Sequence, residues 1–295
     1  MAPIKRALAA LAACLLLLTP AVAEAKVKHG TGGDDRIKGT ARNDTIKARA
    51  GDDRVKALAG NDRVVAGAGN DRVWGGAGVD DLYGNAGNDS LWGGPGNDFI
   101  NGGAGDDAVY GKDGNDKIQL GIGDDIAWGG PGNDQIMGQV GDDIIHGEAG
   151  DDHVSGAKGH DVLHGGDGND TMDGGDGNDL MYGGPGDEGN LSSGSPEKRS
   201  MTGDEGDDIL VPGSGEDAVY GEEGYNHIIV RSDGYRDNLY CGRITDKEQP
   251  NGLLTYVGPP DDLRTQLDDV RKCDIEVLTE EEFVKKYPFI DLSLV

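Results

Sequence analysis

Gly93-Gly94-Pro95-Gly96-Asn97-Asp98-Phe99-Ile100-Asn101 is one of 18 nine-residue units that follow one another without a slip from Gly30 to Leu191. In seventeen consecutive units the sixth position is aspartate: Asp35, Asp44, Asp53, Asp62, Asp71, Asp80, Asp89, Asp98, Asp107, Asp116, Asp125, Asp134, Asp143, Asp152, Asp161, Asp170 and Asp179. The fourth is glycine in 17 of 18, with Arg42 the exception, and the fifth is Asn or Asp in 16 of 18. The eighth is Ile, Val, Leu or Met in 16 of the first 17, with Ala127 the exception. A period held this long marks a stacked repeat architecture. The pattern fails at Asp187-Glu188, resumes at Asp208 and Asp217, and carries Asn226 where the next aspartate is due.

Composition alone points elsewhere. The chain has 295 residues, 53 glycines, 5% aromatics and a formal net charge of −28, a profile that without the period would argue for disorder. So much acid repels phosphate, which argues against nucleic acid as a partner and favours cations.

The unit follows G-G-x-G-x-D-x-U-x and thereby resembles the RTX calcium-binding repeat. The resemblance covers residues 30–191 and, more weakly, 203–229. It implies an all-β fold, a parallel β-roll solenoid in which six residues make a turn that holds calcium, three make a short strand and two units complete a coil. It also implies that the sixth-position aspartates named above, with Asp208 and Asp217, are the metal-binding residues.

Elementary physics agrees. Glycine permits the positive φ that tight turns need and lets coils approach. Asn and Asp at the fifth position tolerate left-handed backbone. A lone aliphatic at the eighth position points inward, with its neighbours at seven and nine pointing out. Stacking brings each aspartate to within about 4.8 Å of its counterpart 18 residues on, where like charges repel by roughly 1 kcal/mol even in water. One core side chain per nine residues cannot offset that repulsion and the chain entropy. Ca2+, bound by carboxylates and glycine carbonyls, removes it, so calcium binding and folding are one event. Two columns of nine turns have at most 16 gaps between coils, of which about a dozen are expected to hold an ion, each weakly but cooperatively.

The flanks differ. Residues 26–63 hold ten basic and six acidic residues, read as a polar N-terminal cap or as a patch that docks an acidic surface. Residues 192–202 read as a flexible loop, 203–231 as degenerate repeats and 232–295 as a small C-terminal cap. Within that cap Thr279-x-x-Glu282 is a capping box, with Lys285 and Lys286 closing the turn, and predicts a short helix near 280–287. Lys5 and Arg6 precede an apolar run, Ala7–Leu18, too short to span a bilayer,. Cleavage motifs follow at Ala23 and Ala25, so residues 1–25 read as a secretory signal. Cys14 falls within the apolar run, where Leu11-Ala12-Ala13-Cys14 only resembles a lipobox. The mature chain is then expected to be secreted, extracellular or cell-surface associated, without a transmembrane segment. Its two remaining cysteines, Cys241 and Cys273, read as one disulfide pinning the cap.

Neither H-E-x-x-H nor G-x-S-x-G occurs, and no enzyme is expected. Two functional classes stay open. One is a calcium-loaded structural or cell-surface protein. The other is an adhesin or carbohydrate- and cell-wall-binding module. The second rests on one outward column, the ninth position of alternate units, which reads Lys38, Lys56, Trp74, Trp92, Tyr110, Trp128, His146, His164, Tyr182. This apolar strip is larger than a soluble monomer ordinarily exposes. It is a contact face for a glycan or a second roll, or it is covered by the C-terminal region, or its stacking stiffens the roll. His146 and His164 are either a weak transition-metal pair or two surface imidazoles.

Overall fold

The computed structural model describes residues 26–186, 201–215, 217–231, 237–241, 252–257, 267–271, 274–288 and 290. The chain winds through two 13-stranded sheets, successive strands alternating between them, so that each strand pairs with the strand two before and two after it. We call sheet A the one that begins with Val27–His29 and sheet B the one that begins with Arg36–Lys38. Every pairing is parallel and, through the repeats, offset by 18 residues, as in Ile100↔Ile118 and Val109↔Ala127. The parallel β-roll that the resemblance implies is therefore the fold.

Most repeat strands are six residues long, not three. Phe99–Ala104 and Lys117–Ile122 run through positions seven to nine and on through one to three of the next unit. What allows this is a kink at position two, where φ is positive: 114° at Gly94 and 121° at Gly103. Some units hold this conformation without glycine, as at Arg49, Leu58, Lys112 and Glu148, where a side chain costs about 1–2 kcal/mol.

The core is two columns per sheet. The eighth-position aliphatics are fully buried, from Ile46 and Val55 through Ile145 and Leu163. A second inward column is the first position, filled by glycine or by the fully buried Ala48, Ala57, Ala66 and Leu120. Leu120, the large exception in the first column, stands in the unit that carries Ala127, the small exception in the eighth. Both lie in one buried cluster, so volume lost in one column is replaced from the other.

The described parts of residues 232–295, expected as a C-terminal cap, continue the two sheets of the roll. Asp237–Tyr240 and Leu267–Arg271 extend sheet A, and Gly252–Val257 and Asp274–Leu278 extend sheet B. The nine-residue period is lost there, but Asp237–Tyr240 still alternates, and the core gains inward residues such as Leu239 and Leu254. Among the described elements α1, Glu280–Lys286, leaves the solenoid, and it has the expected capping box between Thr279 and Glu282. The expected loop is shortened too, because Met201 and Thr202 already belong to the strand Met201–Glu205. The rest of it, residues 192–200, lies outside the described residues, as does the secretory signal, 1–25.

Candidate metal centre

The aspartate column is built by the turn that precedes each strand. From Asp44 to Asp179, and again at Asp208 and Asp217, every sixth-position aspartate is buried to 3% exposure or less. Asp35, in the first unit, is half-buried. In each coil one carboxylate oxygen is already committed. The amide of Asp80 donates to Asp98 Oδ1 at 2.8 Å, the amide of Asp98 to Asp116 Oδ1 at 2.7 Å, and the amide of Asp116 to Asp134 Oδ1 at 2.7 Å. The carboxylates thus reach back to the preceding coil. The fifth-position side chains form a second ladder that runs the other way: Asn88 Oδ1 accepts from the Asp106 amide, and Asp106 Oδ1 from the Asp124 amide. The sequence gives no signal for that ladder beyond the tolerance of Asn and Asp for left-handed backbone at the fifth position.

The other oxygen is the chemically open one. In sixteen aspartates, from Asp53 to Asp208, Oδ2 is buried and accepts no hydrogen bond. It faces a second acceptor. Where the first position is glycine, a Cβ placed there would lie against both oxygens: at Gly93, 2.3 Å from Asp98 Oδ2 and 2.8 Å from the Gly111 carbonyl oxygen. The same cradle recurs at Gly75, Gly84, Gly102, Gly111, Gly129, Gly138, Gly147, Gly156, Gly165, Gly174 and Gly203. Two buried acceptors without a donor between them are unfavourable.

The ends of the column show how the chain resolves this without a cation. In the first two units, threonine takes the second oxygen: Asp35 Oδ2 accepts from the amide and hydroxyl of Thr31, and Asp44 Oδ2 from the amide of Thr40. At the far end Asn226 replaces aspartate. Its Oδ1 still accepts from the Asp208 amide at 2.9 Å, while its Nδ2 donates across the cradle over Gly221 to the Cys241 carbonyl at 3.2 Å. An N–H thus bridges the gap that Asp98 and its equivalents leave between two oxygens.

Burial sets the protonation of the column. It pushes the carboxyls of Asp62, Asp71, Asp125, Asp134, Asp170 and Asp179 up to about 6. It pushes Asp89, Asp98, Asp107, Asp116, Asp152, Asp161 and Asp208 to about 7 and Asp143 to about 8. The ladder amide opposes the rise in each case, and a neighbouring carboxylate adds to it in most. At the edge of the column the balance reverses: against the push of burial, the Lys26 and Thr40 amides and the Thr40 hydroxyl hold Asp44 below its usual value. Near pH 7 the interior of the column needs protons or cations.

The donor set fits calcium. It is all oxygen, carboxylate and backbone carbonyl, and charged on one side, which suits a hard divalent ion. Among the described residues no three His, Cys, Asp or Glu side chains converge on one point, so main-chain carbonyls have to complete any site.

The class defined by fold and site is a parallel β-solenoid whose turns present stacked, cation-seeking carboxylates. A family model, the RTX calcium-binding nonapeptide repeat in four copies, matches overlapping segments from 29–64 through 155–187 and again at 200–228. These cover well over half of the chain, which belongs to this calcium-binding family. No curated protein matches it.

The remaining predicted positions divide. Trp74, Trp92, Tyr110 and Trp128 are half-buried on sheet B and stack with ring centroids 4.6–5.4 Å apart and planes within 4°. His146, His164 and Tyr182 continue the stack. Among the described residues its far end is covered: Tyr182, Val211, Ile229 and Val257 form a cluster with Phe283 of α1. Because each ring lies on the next, ring faces are spent inside the column and edges meet solvent. Burial, then the neighbouring imidazole, brings His164 down to about 4. Cys241 is fully buried, and Cys273 lies outside the described residues.

Proposed function

We propose that the protein is a secreted β-roll that folds when calcium binds and serves a structural role outside the cell or at its surface, without enzymatic activity. The observation that carries this is the cradle: two buried oxygens face each other in unit after unit, and at the end of one column Asn226 places a side-chain donor in that gap. The ligands are the sixth-position carboxylates with glycine carbonyls. About a dozen ions are held, one for each glycine-first cradle from Gly75 onward, while the threonine-satisfied first units hold none. Far-UV circular dichroism of the mature chain during a calcium titration, with equilibrium dialysis for stoichiometry, tests the proposal. An equal β signal in chelator and in millimolar calcium would refute it, as would magnesium replacing calcium at the same concentration.

Cys241 and Cys273 are proposed to pair. The bond would close a loop of about 33 residues and add about 3–4 kcal/mol in the chain-entropy treatment. Intact mass after alkylation without reduction decides the matter, and two added alkyl groups would rule the pair out. An adhesin that stacks sugars along the tryptophan ladder is the weaker reading, because between Trp92 and His164 the rings are in mutual contact on both faces.

A further inference from the structure

Below Trp74 the outward columns of sheet B change character. Arg36, Arg54 and Arg72 are register partners at the seventh position, and Lys38 and Lys56 stand beside them at the ninth, in line with Trp74. All five cations are exposed. With Ile37 and Trp74 they line a groove of about 380 Å3 that no acidic residue enters. The arginines have Asp34, Asp35, Asp52 and Asp71 on their other flank, yet among the described residues Arg36, Lys38, Arg54 and Arg72 form no ion pair. Like charges stacked about 4.8 Å apart repel one another. In a chain of net charge −28, five cations gathered on one strip are not explained by the fold.

The groove also ends on an aromatic face. Trp74 is the first ring of the stack. One of its faces lies on Trp92 at 4.8 Å, and the other is turned to the groove, where among the described residues Lys56 Nζ stands over it, 5.0 Å from the ring centre. Tyr110 also has a lysine over its ring, Lys112, but is stacked on both faces, by Trp92 and Trp128.

We propose that this groove binds a short acidic oligosaccharide, one uronic acid's apolar face lying on Trp74 and its carboxylates, with those of the next sugars, paired with the two cation columns. Aromatic faces suit the apolar side of a sugar ring, and arginine holds carboxylates through two parallel hydrogen bonds. Length favours sugar over single-stranded nucleic acid. Three rungs span about 10 Å, room for about two or three sugar rings and short of the roughly four nucleotides that the smallest single-strand sites take. The inference goes beyond the calcium reading and needs only that the roll be folded.

The test uses the full mature chain in saturating calcium, with trigalacturonate as the probe and titration calorimetry as the readout. Neutral galactotriose and tetrathymidylate are the comparison ligands. Trigalacturonate should bind at least about ten-fold more tightly than either, and added salt should weaken it. Arg54→Gln with Lys56→Gln should lose about ten-fold or more, whereas Lys117→Gln with Lys158→Gln, on sheet A, should change nothing. Circular dichroism in calcium keeps folding separate from binding. If the first pair fails to fold, Lys38→Gln with Trp74→Phe takes its place. Equal binding of the charged and neutral sugars, equal loss in the sheet A variant, or tighter binding of tetrathymidylate would each overturn the proposal.

Discussion

Replacing Asp98, Asp116 and Asp134 together by asparagine should make the roll less dependent on calcium, not unable to form. The three side chains stand in one column, each 3% exposed. Burial pushes their carboxyls from 3.8 to about 7, 7 and 6, so in the calcium-free roll at pH 8 the three charges together cost roughly 10 kcal/mol. Asparagine removes the charge, keeps the acceptor that the Asp80, Asp98 and Asp116 amides use, and offers a donor to the facing glycine carbonyl, as Asn226 does to Cys241. Alanine at the same positions also removes the charge but leaves three buried amides without an acceptor, at about 1–3 kcal/mol each. The expected order of β signal in chelator is therefore asparagine above alanine, with the asparagine variant reaching half-signal at lower calcium than the parent. Equilibrium dialysis should count about three fewer ions for both variants. An asparagine variant that needs more calcium than the parent, or that matches alanine, would refute the cradle argument.

Acid should partly replace calcium. Carboxyls raised in the fold to between about 6 and 8 contribute stability that is complete below their unfolded value and is lost as pH rises through that window. Circular dichroism in chelator should thus show β signal growing from pH 8 to pH 5, stopping short of the isoelectric point near 4.3, where precipitation interferes. Leu120→Ala should cost about 2–5 kcal/mol in saturating calcium, and adding Ala127→Leu should restore part of it, a coupling readable from thermal midpoints of the two single variants and the double. Trp92→Ala with Trp128→Ala breaks the four stacking contacts from Trp74 to His146, each worth about 0.5–1.5 kcal/mol. Calcium-induced folding should survive at a lower thermal midpoint, and an unchanged midpoint would remove the ladder from the stability of the roll.

The amino-acid order alone determined the coil. The period of nine marked a stacked repeat with one aliphatic facing inward, and the resemblance to the RTX repeat implied two units per coil, so parallel pairing 18 residues apart, the buried eighth column and the gathering of Trp74, Trp92, Tyr110 and Trp128 in one line were all legible. So were the capping box at Thr279 and the aspartate column, because each depends on spacing within one strand or turn. What spacing could not say was how side chains finish their hydrogen bonds across coils. The commitment of one aspartate oxygen to the coil before, the opposing fifth-position ladder and the cradle over each first-position glycine arise only when neighbouring coils meet. The same holds at the ends. Thr31, Thr40 and Asn226 look like lapses of a pattern in the sequence, and only packed against their neighbours do they become the groups that satisfy a carboxylate oxygen or a carbonyl without a cation. The strands after residue 237 were hidden for a related reason: their partners lie at irregular distances along the chain, so tertiary pairing, not periodicity, assigns them to the two sheets.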